Sequence, residues 1–154
     1  MKSSALIVAA AVSLAAAPQT MRTNPKTPKA IQSTEAPPAK GPYSQGVEVH
    51  GSRMVFLSGQ TARDPKTGDL VTGDIAAQTE RVMENLKAVL TASGLDFSHV
   101  VRCTIFLTDM AEFPQMNEVY GRYFSGTPPA RTTVQIAATP TKGAKIEIDA
   151  IAVQ

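Results

Sequence analysis

The sequence predicts an α+β domain: one β-sheet with two helices packed on one of its faces. Three observations carry this. Strand-type and helix-type segments interleave in the order β-β-α-β-α-β-β. Two segments repeat apolar residues at helical spacing, while the others are short apolar runs bounded by turn formers. The chain has 154 residues, the length of one domain, and 43% hydrophobic content is enough for an ordinary core.

The elements follow in order. Val47-Glu48-Val49-His50 alternates, Gly51-Ser52 offers a tight turn, and Met54 to Ser58 runs apolar, so these segments are expected to form a hairpin. Residues 64–69 (Asp-Pro-Lys-Thr-Gly-Asp) are dense in turn formers and read as an exposed loop. Asp74 can cap a helix whose Ile75, Val82, Leu86, Val89 and Leu90 share one stripe, and Gly94 suits the left-handed position that ends it. Val100 to Leu107 reads as a strand covered on both faces. Asp109 can cap a second helix that carries Phe113, Met116, Val119, Tyr120, Tyr123 and Phe124 and stops at Ser125 to Pro129. Two last strands span Thr132 to Ala137 and Lys145 to Val153. Ile151, Val153 and the surroundings of Phe106 would lie on the sheet face without helices, and an uncovered apolar face predicts oligomerisation.

The amino end differs in kind. Residues 1–17 combine a short basic region, an apolar stretch and an A-x-A-like end, the pattern of a secretory signal peptide. On that reading the protein is periplasmic or secreted. With Met21 as the true start it would be cytoplasmic. Residues 18–38 are rich in Pro, Thr and Lys and read as a linker or arm, which leaves 39–154 as the folded domain. The apolar stretch is short and rich in alanine, so no stable membrane association is expected.

Composition narrows the function classes. The net charge is +2, Lys and Arg are spread along the chain, and tryptophan is absent. Neither a concentrated basic face nor a stacking platform is present, so no nucleic-acid partner is expected. The single cysteine, Cys103, lies in an apolar run and reads as a buried small hydrophobe. No metal-ligand spacing occurs; His50 and His99 read as solvated turn residues. A serine hydrolase is hard to build, because no histidine lies near a plausible serine.

The residues that composition does not demand form three groups: the loop 41–46 with Tyr43, Ser58-Gly59-Gln60, and Arg131 with Glu147. Arg131 follows Pro128-Pro129-Ala130 at the mouth of a strand. A buried guanidinium needs a partner, and a planar carboxylate fits its fork best. A small carboxylate ligand is therefore one reading; a surface arginine, or one paired to a structural acid, is the other. Tyr43 sits on a loop held by Pro42 and reads either as a ligand contact or as a core-edge tyrosine with a wet tip. Ser58-Gly59 ends a strand and could offer N–H groups to an anion, or could simply be a bulge. Glu147 faces away from Ile146 and Ile148, either solvated or orienting a water molecule.

Seven segments taken together resemble one family: Gly41-Pro42-Tyr43-Ser44-Gln45-Gly46, Leu57-Ser58-Gly59-Gln60, Asn85-Leu86-Lys87-Ala88-Val89-Leu90, Phe106-Leu107-Thr108-Asp109-Met110, Asn117-Glu118-Val119-Tyr120, Pro129-Ala130-Arg131-Thr132, and Ile146-Glu147-Ile148-Asp149-Ala150-Ile151-Ala152. In order and spacing they are similar to the Rid family, also called YjgF or L-PSP, from about Ala36 to Gln154. The resemblance implies a chorismate-mutase-like α+β fold assembled as a homotrimer, with ligand clefts between adjacent subunits. It also implies hydrolysis of 2-imino acids and their enamine tautomers, such as 2-aminoacrylate, to 2-oxo acids and ammonia without a cofactor. Other members have been assigned endoribonuclease or translation-inhibitor activity, and a non-catalytic carboxylate-binding or chaperone-like module is a further alternative. On this resemblance Arg131 clamps the substrate carboxylate, Glu147 is linked to the attacking water, and Tyr43, Ser58, Gly59 and Asn117 line the cleft. Thr133, a further substrate-binding position on this resemblance, stands where well-known members often carry cysteine.

Overall fold

The computed structural model describes residues 28–35, 39–50 and 53–154. The signal-peptide reading of residues 1–17 and the turn at Gly51-Ser52 fall outside these described residues. Eight elements matter: β1 (Lys29–Ile31), β2 (Gly46–Glu48), β3 (Met54–Thr61), α1 (Ile75–Ala92), β4 (Val100–Leu107), α2 (Phe113–Gly121), β5 (Ala130–Gln135) and β6 (Ile146–Val153). The main sheet runs β3-β6-β4-β5. β6 is antiparallel to both β3 and β4, so β3 and β4 run parallel with β6 between them. Helix α1 makes that crossover, and α2 makes the next one, from β4 to its parallel neighbour β5. Both helices pack against the sheet's inner face, where Leu57, Cys103, Ile105, Leu107, Ile146 and Ile148 are buried beneath Val82, Leu86, Leu90, Met116 and Tyr120.

The expected hairpin does not form. β2 pairs antiparallel with β1, Ile31 facing Gly46, while β3 pairs with β6 at the far end of the chain. The run Met54-Val55-Phe56-Leu57 is apolar enough to pair with any strand, and its local turn does not decide the partner. Lys29–Ile31, within the stretch read as an arm, thus forms a short strand.

Helix α1 has the ends its sequence suggests. The Asp74 Oδ1 accepts from the Ala77 N–H at 2.9 Å. At the other end Gly94 takes φ +74°, the Leu95 N–H donates to the Leu90 carbonyl and the Gly94 N–H to that of Thr91, both at 2.9 Å. This pair of bonds is the Schellman motif, and it satisfies carbonyls the helix leaves open. Val89 departs from expectation: it lies at the margin of the stripe, 39% exposed.

Asp109 caps a 3-10 turn, Met110–Glu112, through the Ala111 N–H, and not α2 itself. α2 starts one turn later with Pro114 in its first turn, where a missing N–H costs nothing. It also ends at Gly121, before Tyr123 and Phe124, which pack instead against Phe97. Of the histidines, His50 is exposed beside Glu48. His99 is not a solvated turn residue: its ring joins Asp96 in a capping box and is 21% exposed.

The outer sheet face is open and mixed: apolar residues share it with Thr104, Thr132, Glu147 and Asp149. Phe56 pairs across β6 with Ile151, and Phe106 across β5 with Val134. Phe56 is 70% exposed and Met54 55%. β4 is therefore covered on its inner face only in the single chain, contrary to the continuous coverage its sequence suggested.

Candidate active site

The sequence-predicted residues gather in two clusters. The first lies at β5, an edge strand. In the β4–β5 register Arg131 faces Cys103 and Thr133 faces Ile105, so both side chains stand on the inner, helix-bearing side. α2 supplies the surroundings of Arg131. The Arg131 Nη1 donates to the Asn117 Oδ1 at 2.7 Å. The guanidinium carbon lies 5.0 Å from the ring centre of Tyr120 and 5.6 Å from that of Phe113. Phe113, Asn117 and Tyr120 are spaced i, i+4 and i+7, one stripe of the helix.

Tyr43 joins the cluster from the loop before β2, its ring centre 5.3 Å from the guanidinium carbon. It is held there because its loop is tied to the start of β5. The Ser44 N–H donates to the Pro129 carbonyl at 3.1 Å and the Ser44 hydroxyl to that of Pro128 at 2.6 Å. Each cation–π contact contributes about 0.5–1 kcal/mol at such a partly exposed site. Among the described residues no carboxylate forms an ion pair with Arg131. Burial pushes its pKa below the ordinary arginine value, yet a guanidinium stays charged in a protein. The cluster is thus a fixed cation without an anion. The Thr133 Oγ1 beside it is buried and makes no hydrogen bond.

Cys103 lies beneath this cluster, 2% exposed. Burial pushes its thiol from 9.0 up to about 12. The thiol is expected to resist iodoacetamide at pH 8 in the folded protein and to react once the protein is denatured; rapid labelling of the native form would contradict this. The sign for stability follows. Above pH 9 the unfolded thiol loses its proton while the buried one keeps it, so Cys103 lowers stability as pH rises from 9 toward about 12.

The second cluster lies toward the opposite edge of the sheet. The β3–β6 register shifts between Leu57 and Gln60, so Ser58 and Gly59 occupy a bulge. Glu147 faces Thr61 on one side and Phe106 on the other, on the open face. Its carboxylate lies across Gly59, where an added Cβ would overlap Oε1 and sit 2.8 Å from Cδ. Glycine at 59 is therefore what lets Glu147 lie flat over the bulge. Gly59→Ala is expected to swing the Glu147 side chain away while costing little stability, since a flexible side chain yields readily. Denaturant titration and a crystal structure of the alanine variant check this, and a Glu147 side chain left in place, or a large loss of stability, would contradict it.

The two clusters do not meet within one chain. Three strand spacings, about 14 Å, separate β3 from β5. Glu147 and Arg131 also stand on opposite faces. Reading the residues one by one missed Phe113 and Tyr120 as neighbours of Arg131, although their spacing with Asn117 was a usable signal. Among the described residues no group of three His, Cys, Asp or Glu is arranged to hold a metal, and no helix is long and apolar enough to cross a membrane.

Comparison with known proteins places this geometry. The family described as Endoribonuclease L-PSP matches residues 33–154. Protein DfrA of Myxococcus xanthus is 68% identical over 125 residues, covering 81% of this chain and 95% of that one. The 2-iminobutanoate/2-iminopropanoate deaminase of Mus musculus is 46% identical over 126 residues, covering 82% of this chain and 91% of that one. The crystal structure of E. coli TdcF with bound serine is 42% identical and superposes with a TM-score of 0.63, covering 82% of this chain and 98% of that one. The chain belongs to the L-PSP or Rid family and is RidA-like, and its two helices on a mixed sheet are that family's fold.

Proposed function

We propose that the protein hydrolyses small 2-imino acids, such as 2-iminopropanoate and 2-iminobutanoate, to 2-oxo acids and ammonia. The observation that carries this reading is Arg131: a half-buried guanidinium, oriented by Asn117 and three aromatic rings, with no ion-pair partner among the described residues. The name of the mouse relative and the serine bound to TdcF, an amino acid of similar size and charge, support the same substrate class.

The chemistry asks little of the protein. An imine carbon is electrophilic, more so when its nitrogen is protonated. Arg131 grips the carboxylate through its free guanidinium edge. Glu147 holds a water molecule against the imine carbon and takes its proton as the C–O bond forms. Glu147 returns that proton to the carbinolamine nitrogen, the C–N bond breaks as the hydroxyl proton passes back to Glu147, and ammonia leaves the 2-oxo acid. Holding both reactants in register supplies much of the barrier reduction.

Arg131 of one copy works with Glu147, Ser58 and Gly59 of the next. The division of the clusters between opposite edges and faces supports this, because one chain cannot bring them to one ligand. The exposure of Phe56 and Met54 on the open face supports assembly of copies across it, and the assembly proposed is a homotrimer with intersubunit sites.

The test is a coupled assay. A pyridoxal-phosphate dehydratase acting on serine releases 2-aminoacrylate, and pyruvate formation is followed with and without this protein. Faster pyruvate release is expected. Cleavage of single-stranded RNA with no gain in pyruvate would replace this reading with the ribonuclease one that the family description names.

A further inference from the structure

Arg131 is encircled rather than merely contacted. Three rings from two elements lie within 5.0–5.6 Å of its guanidinium carbon, and Asn117 occupies one edge of the fork. Two of these rings come from α2, and they differ in kind from a ligand contact. Tyr120 is fully buried and cannot meet a ligand from solvent. Its hydroxyl makes no hydrogen bond of normal geometry, although the Cys103 thiol is its neighbour. A buried hydroxyl without a partner is a cost, so the hydroxyl does not explain the residue at this position. The ring does: it stacks beside Phe124, 4.8 Å between centres, and presents its π-system to the guanidinium.

A guanidinium on a long side chain samples many rotamers, and each would aim the fork elsewhere. Three rings beside it and an acceptor at one edge restrict the directions in which the remaining donors can point. We propose that Phe113 and Tyr120 are positioning residues: they hold the plane of Arg131 so that its free edge meets the substrate carboxylate, and in Tyr120 the ring performs this, not the hydroxyl. The inference rests on the deaminase reading above and adds the residues that act through Arg131. Grip on the carboxylate is the same in the bound substrate and in the transition state, so loss of positioning raises KM and leaves kcat nearly unchanged.

The test compares the full-length wild type with Tyr120→Phe, Tyr120→Leu and Phe113→Leu, each checked by circular dichroism. Imine hydrolysis gives KM and kcat, and calorimetry gives the Kd of 2-oxobutanoate, a stable carboxylate of the same size. Tyr120→Phe is expected to stay within about twofold of wild type in all three quantities. Both leucine variants are expected to raise KM and Kd about tenfold with kcat within about threefold. Unchanged KM and Kd in the folded leucine variants would overturn the proposal, and so would a Tyr120→Phe variant as impaired as Tyr120→Leu. Should Tyr120→Leu fail to fold, Phe113→Leu, at a half-buried site, decides alone. A wild type that binds 2-oxobutanoate yet hydrolyses no imine would overturn the deaminase reading, and the Kd values would then judge the cage by themselves.

Discussion

Arg131→Ala is expected to lower kcat/KM for 2-iminopropanoate by about 10² to 10⁴ while the fold survives. The size follows from the contacts removed. Two charge-assisted hydrogen bonds to a carboxylate are worth about 1.5–3 kcal/mol each, and about 1.4 kcal/mol is a factor of ten. The fold is expected to survive because, among the described residues, Arg131 bridges no other element by an ion pair. Among the described residues its guanidinium hydrogen-bonds only to Asn117, and removing it also relieves the desolvation that lowers its pKa. Arg131→Lys keeps the charge and loses the fork, so it should fall between wild type and alanine. Initial rates of pyruvate release and circular dichroism on the same samples check both halves. Wild-type activity in Arg131→Ala would remove the basis of the proposed function.

Glu147→Gln is expected to lower kcat by about 10² or more and to leave KM within a few-fold. The substitution keeps the shape that lies across Gly59 and removes the capacity to take a proton, and general-base contributions fall in the range of about 10² to 10⁴. Because the carboxylate clamp is untouched, binding should persist. Kinetic parameters at saturating imine separate the two effects. A variant with raised KM and native kcat would place Glu147 in binding instead.

Local rules made much of the fold legible. The ends of β4 coincide with the apolar run Val100 to Leu107, and α1 is bounded by the residues that cap it, Asp74 and Gly94. The side to which Glu147 points followed from its alternation with Ile146 and Ile148. What the chain concealed was pairing between distant segments. β3 and β6 are ladder partners across the whole domain, and nothing local in Met54 to Leu57 distinguishes that partner from the nearby Val47 to His50. The face of Arg131 was hidden for a related reason. The run Arg131-Thr132-Thr133-Val134 has too weak an alternation to fix which side is inward, and only the pairing with Cys103 and Ile105 decides it. Candidate residues could thus be listed from sequence, but their separation into two clusters could not.

That separation leads to the most direct measurement. Arg131→Ala and Glu147→Gln chains, each expected to lose about a hundredfold or more in kcat/KM alone, are unfolded together at equal amounts and refolded, and activity is read at substrate well below KM. If each site takes its arginine from one copy and its glutamate from the next, random assembly gives about one site in four with both native groups. The mixture should then regain about a quarter of wild-type imine hydrolysis. A mixture as inactive as its parents, with mixed oligomers shown by mass spectrometry, would contradict the shared site.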